Sequence, residues 1–237
     1  TAREQLERAA EWLTNTALQH HAVAIQPRDK GIDEPDELRR ADGSSVYEVA
    51  GARLYTSRQI VDAEQRIVTA AGRTDGRRVA VRAVEVALLE SVANGLTLNA
   101  GQAAMVRAMA TSGARVQLGI APAGTGKTTA MATLARAWQE SGGTVIGLSP
   151  AAAAAAQLRS QIQTHTDTLA KLVWSIQHND LPKWASSIGP KTLVIIDEAG
   201  TADTLSLDTA IGFIITRGGS VRLIGDDQQL GAIAAGG

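Results

Sequence analysis

The sequence predicts an α/β fold in which crossover helices connect the strands of a parallel sheet, preceded by a mostly helical N-terminal segment. From residue 96 onward, short apolar runs alternate with segments of helix length. One run, LVII at 193–196, is apolar throughout, which is typical of a strand buried on both faces. Upstream, helical patterns bracket a polar linker near 26–45. We therefore predict an N-terminal accessory region at 1–95 and an α/β domain at 96–237.

Three helices are expected in the N-terminal region. The first lies within residues 1–24, where apolar positions recur at helical spacing. Residues 46–57 have the pattern of a short hairpin or extended pair, and Thr56 or Ser57 provides the N-cap of the second helix. The third helix runs from about 78 to 94 and ends at the following glycine.

Four strands are predicted in the α/β domain, at 116–120, 144–148, 193–196 and 221–224. Parallel neighbours must be joined by crossovers of about a dozen residues or more, which are usually helices. The intervening segments have helix length, and one of them contains an alanine-rich run at 151–156. We therefore expect the four strands to belong to one parallel sheet.

The composition excludes several classes of protein. The formal net charge is −1, so any contact with DNA must be local rather than spread over a basic surface. The sequence has no cysteine, which excludes disulfides and thiolate metal sites. No apolar run reaches the roughly 18 residues of a membrane helix, so we expect no membrane insertion and a cytoplasmic location. The sequence starts without methionine and stops directly after a motif, so we expect it to be a piece of a longer polypeptide.

Residues 121–129, APAGTGKTT, resemble the phosphate-loop pattern G-x-x-x-x-G-K-[ST], although Ala121 replaces its first glycine. In such loops backbone N–H groups surround the phosphates, a lysine neutralises the outer phosphates and a hydroxyl joins the shell of Mg²⁺. The candidate binding residues here are Ala123, Gly124, Thr125, Gly126, Lys127, Thr128 and Thr129. Because a predicted strand precedes the loop and a helix follows it, we favour a nucleoside triphosphate site over a glycine-rich turn with a chance lysine.

Two acidic residues, Asp197 and Glu198, directly follow the apolar strand at 193–196. Ligands collect at the carboxyl ends of strands in such sheets, which places both acids beside the phosphate loop. Asp197 can hold Mg²⁺ through water, and Glu198 can orient and deprotonate an attacking water molecule. Two acids after an apolar run are common, but the preceding phosphate loop favours a catalytic role here.

Two amide side chains complete the candidate site. Gln229, in GDDQQL after the last predicted strand, can touch a γ-phosphate, although the segment alone also fits a solvated acidic turn. Gln102 lies three residues after Asn99 in the arrangement of a capping box, so its amide either serves only the helix cap or also reads adenine.

Hydroxyl side chains in the two following segments are candidate contacts for a nucleic-acid phosphate. They are Ser149, next to the backbone at Pro150, and Thr166 and Thr168 in THTDTL. The alternative is that they serve as ordinary helix caps.

These elements, in this order, resemble the first RecA-like domain of superfamily 1 DNA helicases over residues 96–237. APAGTGKTT, IIDEAG and GDDQQL are similar to the first, second and third motifs of that family, and LTLNAGQ is similar to its adenine-reading glutamine segment. The nearest resemblance is to the RecD-like branch and, more narrowly, to the helicase region of TrwC/TraI-type conjugative relaxases. The segments LRRADGSSVYEVAGARLYTSRQIVDAEQRI and VIGLSPAAAAA carry this narrower resemblance.

The resemblance implies a RecA-like P-loop NTPase domain that uses ATP and Mg²⁺. It assigns Lys127 to the phosphates, Thr128 and Asp197 to Mg²⁺, Glu198 to the role of base, Gln229 to γ-phosphate sensing and Gln102 to adenine. It also implies single-stranded DNA as a partner, shared with a second RecA-like domain outside this chain, and an association with conjugation machinery. Ala121 is tolerated by the family, whereas Ala151 stands where relatives often carry a hydroxyl that contacts DNA.

Three functions remain open from the sequence. The first is the ATP-binding motor domain of a helicase that moves on single-stranded DNA inside a conjugative relaxase–helicase, with weak hydrolysis in isolation. The second is a degenerate helicase-fold module that binds DNA or a transfer partner without turnover. The third is a fragment of a RecD-like DNA-repair helicase. The intact set of Lys127, Asp197, Glu198 and Gln229 favours an active motor over a degenerate module.

Overall fold

A computed structural model describes residues 2–25, 35, 39, 54–120 and 126–225, which form two compact units, Thr1–Asp62 and Ala63–Gly237. In the first unit, helix α1 (Ala2–His20) is followed by strand β1 (Ala22–Ile25), which pairs antiparallel with β2 (Leu54–Ser57). Helix α2 (Arg58–Ala71) begins there, and Ser57 is its N-cap because Ser57 Oγ accepts from the Ile60 N–H at 3.2 Å. No helix in the described parts of the chain is long and apolar enough to cross a membrane.

The second unit alternates helices and strands after two initial helices. In chain order these elements are α3 (Val81–Ala93), α4 (Ala100–Thr111), β3 (Val116–Ile120), α5 (Lys127–Glu140), β4 (Thr144–Ser149), α6 (Ala152–Ile162), β5 (His165–Thr168), α7 (Leu169–Gln177), α8 (Lys183–Ser186), β6 (Thr192–Ile196), α9 (Thr204–Thr216) and β7 (Ser220–Gly225). A short 3₁₀ turn, Ala199–Thr201, follows β6.

Five strands of the second unit form one parallel sheet in the order β3-β7-β6-β4-β5. The predicted α/β fold with a parallel sheet is therefore confirmed, and all four predicted strands form with ends within one residue of the predicted ones. Strand β5 was not predicted, because its sequence HTDT is polar and too short to show a strand pattern. β5 lies at one edge of the sheet, where polar side chains are tolerated.

Apolar side chains cover both faces of the sheet, as expected for parallel strands. Helices α3, α4, α5 and α6 pack on one face in a cluster that includes Leu134, Trp138 and Ile195. Helices α7 and α9 pack on the other face with Val194 and Ile196. Alternate residues of β6 thus point to opposite layers, which explains the uninterrupted apolar run that marks this strand in the sequence.

Helix α3 shares the core of the sheet domain, although the sequence analysis assigns it to the N-terminal region. Its residues Val84 and Leu88 belong to the same cluster as α4 and α5. The helix ends as predicted at Gly95, which has φ 78°, and the N–H groups of Gly95 and Leu96 close a Schellman motif on Val92 and Ser91. Compactness places a division after residue 62, while a functional boundary near residue 96 stays a prediction.

Candidate functional site

The described end of the phosphate loop leads directly into α5. Lys127, Thr128 and Thr129 are the first residues of this helix, and Gly126 precedes it in a left-handed conformation with φ 75°. Gly126 supplies no side-chain cap to the helix, whose first turn carries the positive end of the helix dipole. This helix start suits the predicted binding of phosphate, which stays a prediction.

Gln102 lies beside Gly126. A Cβ atom added at Gly126 would meet the Gln102 amide nitrogen, which is the movable end of a side chain, so the left-handed backbone angle rather than the space favours glycine there. Gln102 also forms the predicted capping box, in which its Oε1 accepts from the Asn99 N–H at 2.7 Å and its own N–H donates to Asn99 Oδ1 at 2.9 Å. The cap is thus confirmed, while adenine contact by Gln102 stays a prediction.

Asp197 continues the β6 ladder by one residue, since its N–H donates to the Leu148 carbonyl at 2.9 Å. One carboxylate oxygen, Oδ1, accepts from the Glu198 N–H at 3.0 Å. Burial raises the pKa of Asp197, and the Glu198 N–H and the positive charge of Lys127 oppose that rise. Lys127 begins the helix that follows β3 and Asp197 follows β6 in the same parallel sheet, so both residues lie at its carboxyl edge, in agreement with the influence of Lys127 on the pKa of Asp197.

Glu198 adopts a left-handed backbone conformation, φ 54° and ψ 35°, which is uncommon for a residue other than glycine. Such a conformation costs about 1–3 kcal/mol and persists only where its surroundings hold it. Here the Glu198 carbonyl accepts both the N–H and the hydroxyl of Thr201, each at 2.9 Å. Two hydrogen bonds thus hold the turn after β6 at the residue predicted to be the base.

The donor atoms at the site suit Mg²⁺. The Thr128 hydroxyl and the Asp197 carboxylate are hard oxygen ligands, and Mg²⁺ usually takes one or two protein ligands together with phosphate and water oxygens. Within the described ranges no group of three or more His, Cys, Asp or Glu side chains forms a complete metal cage. The chemistry of these two oxygen donors therefore fits a magnesium ion, and Mg²⁺ binding by Thr128 and Asp197 stays a prediction.

Several predicted site residues lie outside the described part of the chain. They are Ala123, Gly124, Thr125 and Gln229. Their assignments to phosphate binding and γ-phosphate sensing remain predictions.

The candidate nucleic-acid contacts at the hydroxyl residues need correction. Ser149 is 0% exposed, so its side chain does not meet a surface-bound phosphate. Thr166 is buried as well, and its hydroxyl donates to the Ala155 carbonyl at 2.7 Å. Thr168 is the N-cap of α7, because its side chain accepts from the Lys171 N–H at 3.1 Å. Burial and an internal hydrogen bond thus explain Thr166, and the capping alternative is confirmed for Thr168, whose contact with DNA stays a prediction.

The parallel sheet, with Lys127 and Asp197 converging at its carboxyl edge, defines a domain of the phosphate-loop NTPase class. Residues 97–237 match the family model described as "AAA domain". This match covers more than half of the chain, which therefore belongs to that family.

Curated relatives are conjugal transfer proteins. The probable conjugal transfer protein TraA of Sinorhizobium fredii is 31% identical over 122 residues, which are 52% of this chain and 11% of the relative. TraA of Agrobacterium fabrum is 29% identical and TraA of Rhizobium radiobacter 31% identical, each over 123 residues, with the same coverage of 52% and 11%. The chain thus matches about a tenth of the length of these relatives. The predicted resemblance to conjugative-transfer proteins is confirmed.

Among solved structures, the UvsW helicase of bacteriophage T4 aligns with a TM-score of 0.44 at 18% sequence identity. The alignment covers 54% of this chain and 52% of the helicase. No conclusion about this chain follows from a similarity of that size.

Proposed function

We propose that residues 96–237 form the first motor domain of a DNA helicase, which binds ATP with Mg²⁺ and couples hydrolysis to movement along single-stranded DNA. The observation that carries this proposal is the convergence of Lys127, at the start of α5, with Asp197, at the end of β6. A cation and a metal-binding carboxylate at the carboxyl edge of a parallel sheet are what phosphoryl transfer requires.

Each site residue has a distinct task in the proposed reaction. Lys127 and the start of α5 neutralise the outer phosphates, while Thr128 and Asp197 hold Mg²⁺, which offsets charge on the phosphate oxygens. Glu198 orients the attacking water and accepts its proton. A base must lie within hydrogen-bond reach of its water. The hydrogen-bonded turn at Glu198 favours this task, because it fixes the backbone from which the side chain extends.

A role in conjugative DNA transfer is supported by the names of the TraA relatives. The net charge of −1 requires that DNA contacts be local. We expect slow turnover by this chain alone, because an arginine supplied by another domain is worth about 10³–10⁵ in rate in related phosphoryl transfer. A second RecA-like domain and single-stranded DNA would raise that rate.

The proposal is tested by measuring ATP binding and hydrolysis with and without single-stranded DNA, for the wild type and for Lys127→Ala. We expect Lys127→Ala to abolish detectable binding, because the outer phosphates lose their cation. The matched control is Lys171→Ala, since Lys171 is an exposed cation on α7 whose Nζ lies 5.2 Å from the Trp174 ring centroid. This control should bind ATP as the wild type does.

The outcomes separate the alternative functions. Binding that depends on Lys127, with turnover that DNA and a longer chain increase, supports the motor. Binding without turnover under all these conditions identifies a non-hydrolysing module instead. Absence of ATP binding by the wild type would reject the nucleotide site itself.

A further inference from the structure

The carboxyl end of β4 adjoins the candidate nucleotide site. β4 and β6 pair in parallel with Leu148 opposite Ile196, and Asp197 bonds to the Leu148 carbonyl one step further. Ser149, the last residue of β4, therefore lies beside Asp197, about 5 Å away across the strand pair.

Ser149 and Asp197 also face the same layer of helices. Side chains alternate along a strand, so Ser149 shares its face with Gly147, where an added Cβ would lie 2.8 Å from a methyl of Leu158 in α6. Asp197 shares its face with Ile195, which packs in the cluster that contains Leu158. This is the layer that includes α5, whose first residue carries the phosphate-binding amine.

The Ser149 hydroxyl has no hydrogen-bond partner among the described residues, although it is fully buried. Some buried hydroxyls of the unit are bonded, such as Ser91 Oγ, which donates to the Ala87 carbonyl at 3.0 Å and lies 2.8 Å from Thr133 Oγ1. Ser175 Oγ and Ser220 Oγ, like Ser149 Oγ, are buried without a partner among the described residues, but of the three only Ser149 lies beside Asp197. A buried polar group without a partner is unfavourable unless a bound group satisfies it. Ser149 lies beside Asp197, the carboxylate that is proposed to bind Mg²⁺. The state with nucleotide and Mg²⁺ bound is therefore the one in which the Ser149 hydroxyl would find a partner.

We propose that Ser149 is a positioning residue of the nucleotide site. When nucleotide and Mg²⁺ bind, its hydroxyl donates to the Asp197 carboxylate and holds it toward the shell of the metal. The Glu198 N–H already fixes one oxygen of this carboxylate, and the Ser149 hydroxyl adds a second restraint from the neighbouring strand. This inference rests on the proposed function, because it needs Mg²⁺ at Asp197.

Hydrogen bonds to a metal-binding carboxylate have a measurable effect, since removing such partners typically lowers metal affinity about 10- to 100-fold. The experiment titrates Mg²⁺ against binding of a fluorescent ATP analogue to the full chain. Ser149→Ala should raise the half-saturating Mg²⁺ concentration about 10-fold or more. Nucleotide affinity measured in EDTA should stay unchanged, and Ser149→Cys, which keeps a weak donor, should fall between the two.

A second readout needs no ligand. Since the Ser149 hydroxyl has no hydrogen-bond partner among the described residues, Ser149→Ala should leave the thermal unfolding midpoint of the ligand-free protein unchanged or raise it. Ser91→Ala should lower that midpoint, because its hydroxyl is bonded. Ser220→Ala is the matched control: Ser220 Oγ is also buried without a described partner, but it lies at the amino end of β7, far along the strands from the site. This variant should not alter the Mg²⁺ titration.

The possible failures are distinguishable. An unchanged Mg²⁺ titration for Ser149→Ala, with a wild type that binds the analogue, overturns the positioning role alone. A ligand-free midpoint that falls as in Ser91→Ala would show a structural hydrogen bond and also overturn it. A wild type that does not bind the analogue with Mg²⁺ rejects the proposed function, and this inference with it.

Discussion

In the ligand-free protein, the negative charge of the Asp197 carboxylate contributes little to the stability of the fold, because the side chain is largely buried. Burial is the largest influence on its pKa and raises it, while the Glu198 N–H and the Lys127 charge compensate in part. Sites that must bind a metal commonly keep such unfavourable groups, because function rather than stability selects them. Proposed activity and stability therefore conflict at Asp197.

We expect Asp197→Asn to be more stable than the wild type at pH 7 in the absence of nucleotide and Mg²⁺. A raised folded-state pKa means that the carboxyl stabilises the fold below its ordinary value of 3.8 and that this contribution is lost as pH rises through the folded value. Asparagine avoids the buried charge, so its advantage should shrink as pH falls toward 4. Urea unfolding at both pH values measures this difference.

A matched comparison is Asp203→Asn, since Asp203 caps α9 by accepting from the Ser206 N–H at 2.8 Å. Its replacement should not stabilise the protein at either pH. If Asp197→Asn were less stable than the wild type at pH 7, then attraction to Lys127 would outweigh burial, contrary to our interpretation.

Helix α4 is fixed to strand β7 by a buried arginine. Arg222 is 0% exposed, and its guanidinium donates to the carbonyls of Met109 at 2.6 and 2.9 Å, Ala114 at 3.0 Å and Val221 at 2.8 Å. Burial lowers the pKa of Arg222 to about 10, which leaves it charged at neutral pH. The cation thus neutralises carbonyls at the C-terminal end of α4, where the helix dipole is negative.

We expect Arg222→Met to lower the free energy of unfolding by roughly 2–5 kcal/mol, because it leaves buried carbonyls unpaired and the space of the guanidinium unfilled. Arg222→Lys should recover part of the loss, since an ammonium can satisfy fewer of the carbonyls. Chemical unfolding monitored by circular dichroism measures both.

The control for this prediction is Arg107→Met. Arg107 lies on α4 and pairs with Glu85 at 2.6 Å, but both side chains are largely exposed, so the pair contributes little. An equal loss of stability in the two variants would show that α4 depends on surface charge rather than on the buried link to β7.

We expect the two compact units to respond differently to ligand. The proposed site lies in the second unit, at the start of α5 and at the carboxyl ends of β4 and β6. A ligand that binds only the folded state stabilises it by about 2.7 kcal/mol at a hundred times its Kd. Hydrogen exchange should therefore slow in the second unit on addition of an ATP analogue with Mg²⁺.

We expect the largest protection in the first turn of α5 and in the turn after β6, and no change in α1. Lys127→Ala provides the control, since it should abolish the protection. Equal slowing in α1 and α5 would contradict a site confined to the second unit.

Local patterns made much of this molecule predictable. Spacing and residue type suffice to predict features that depend on neighbouring residues. These features are the four mainly apolar strands, the end of α3 at Gly95 and the capping box of Asn99 and Gln102. The phosphate-loop pattern likewise identified the start of α5, because its glycines, lysine and hydroxyl residue are contiguous.

Other features depend on which distant segments pack together, and no local pattern contains that information. The strand order, the approach of Lys127 to Asp197 and the polar edge strand β5 arise from the assembled sheet. The same holds for burial: Ser149 looks like a surface hydroxyl in the sequence, yet the fold seals it beside Asp197. The amino-acid order therefore determined the elements and the candidate chemistry, whereas long-range packing decided which side chains meet, because desolvation and hydrogen bonding act between residues far apart in the chain.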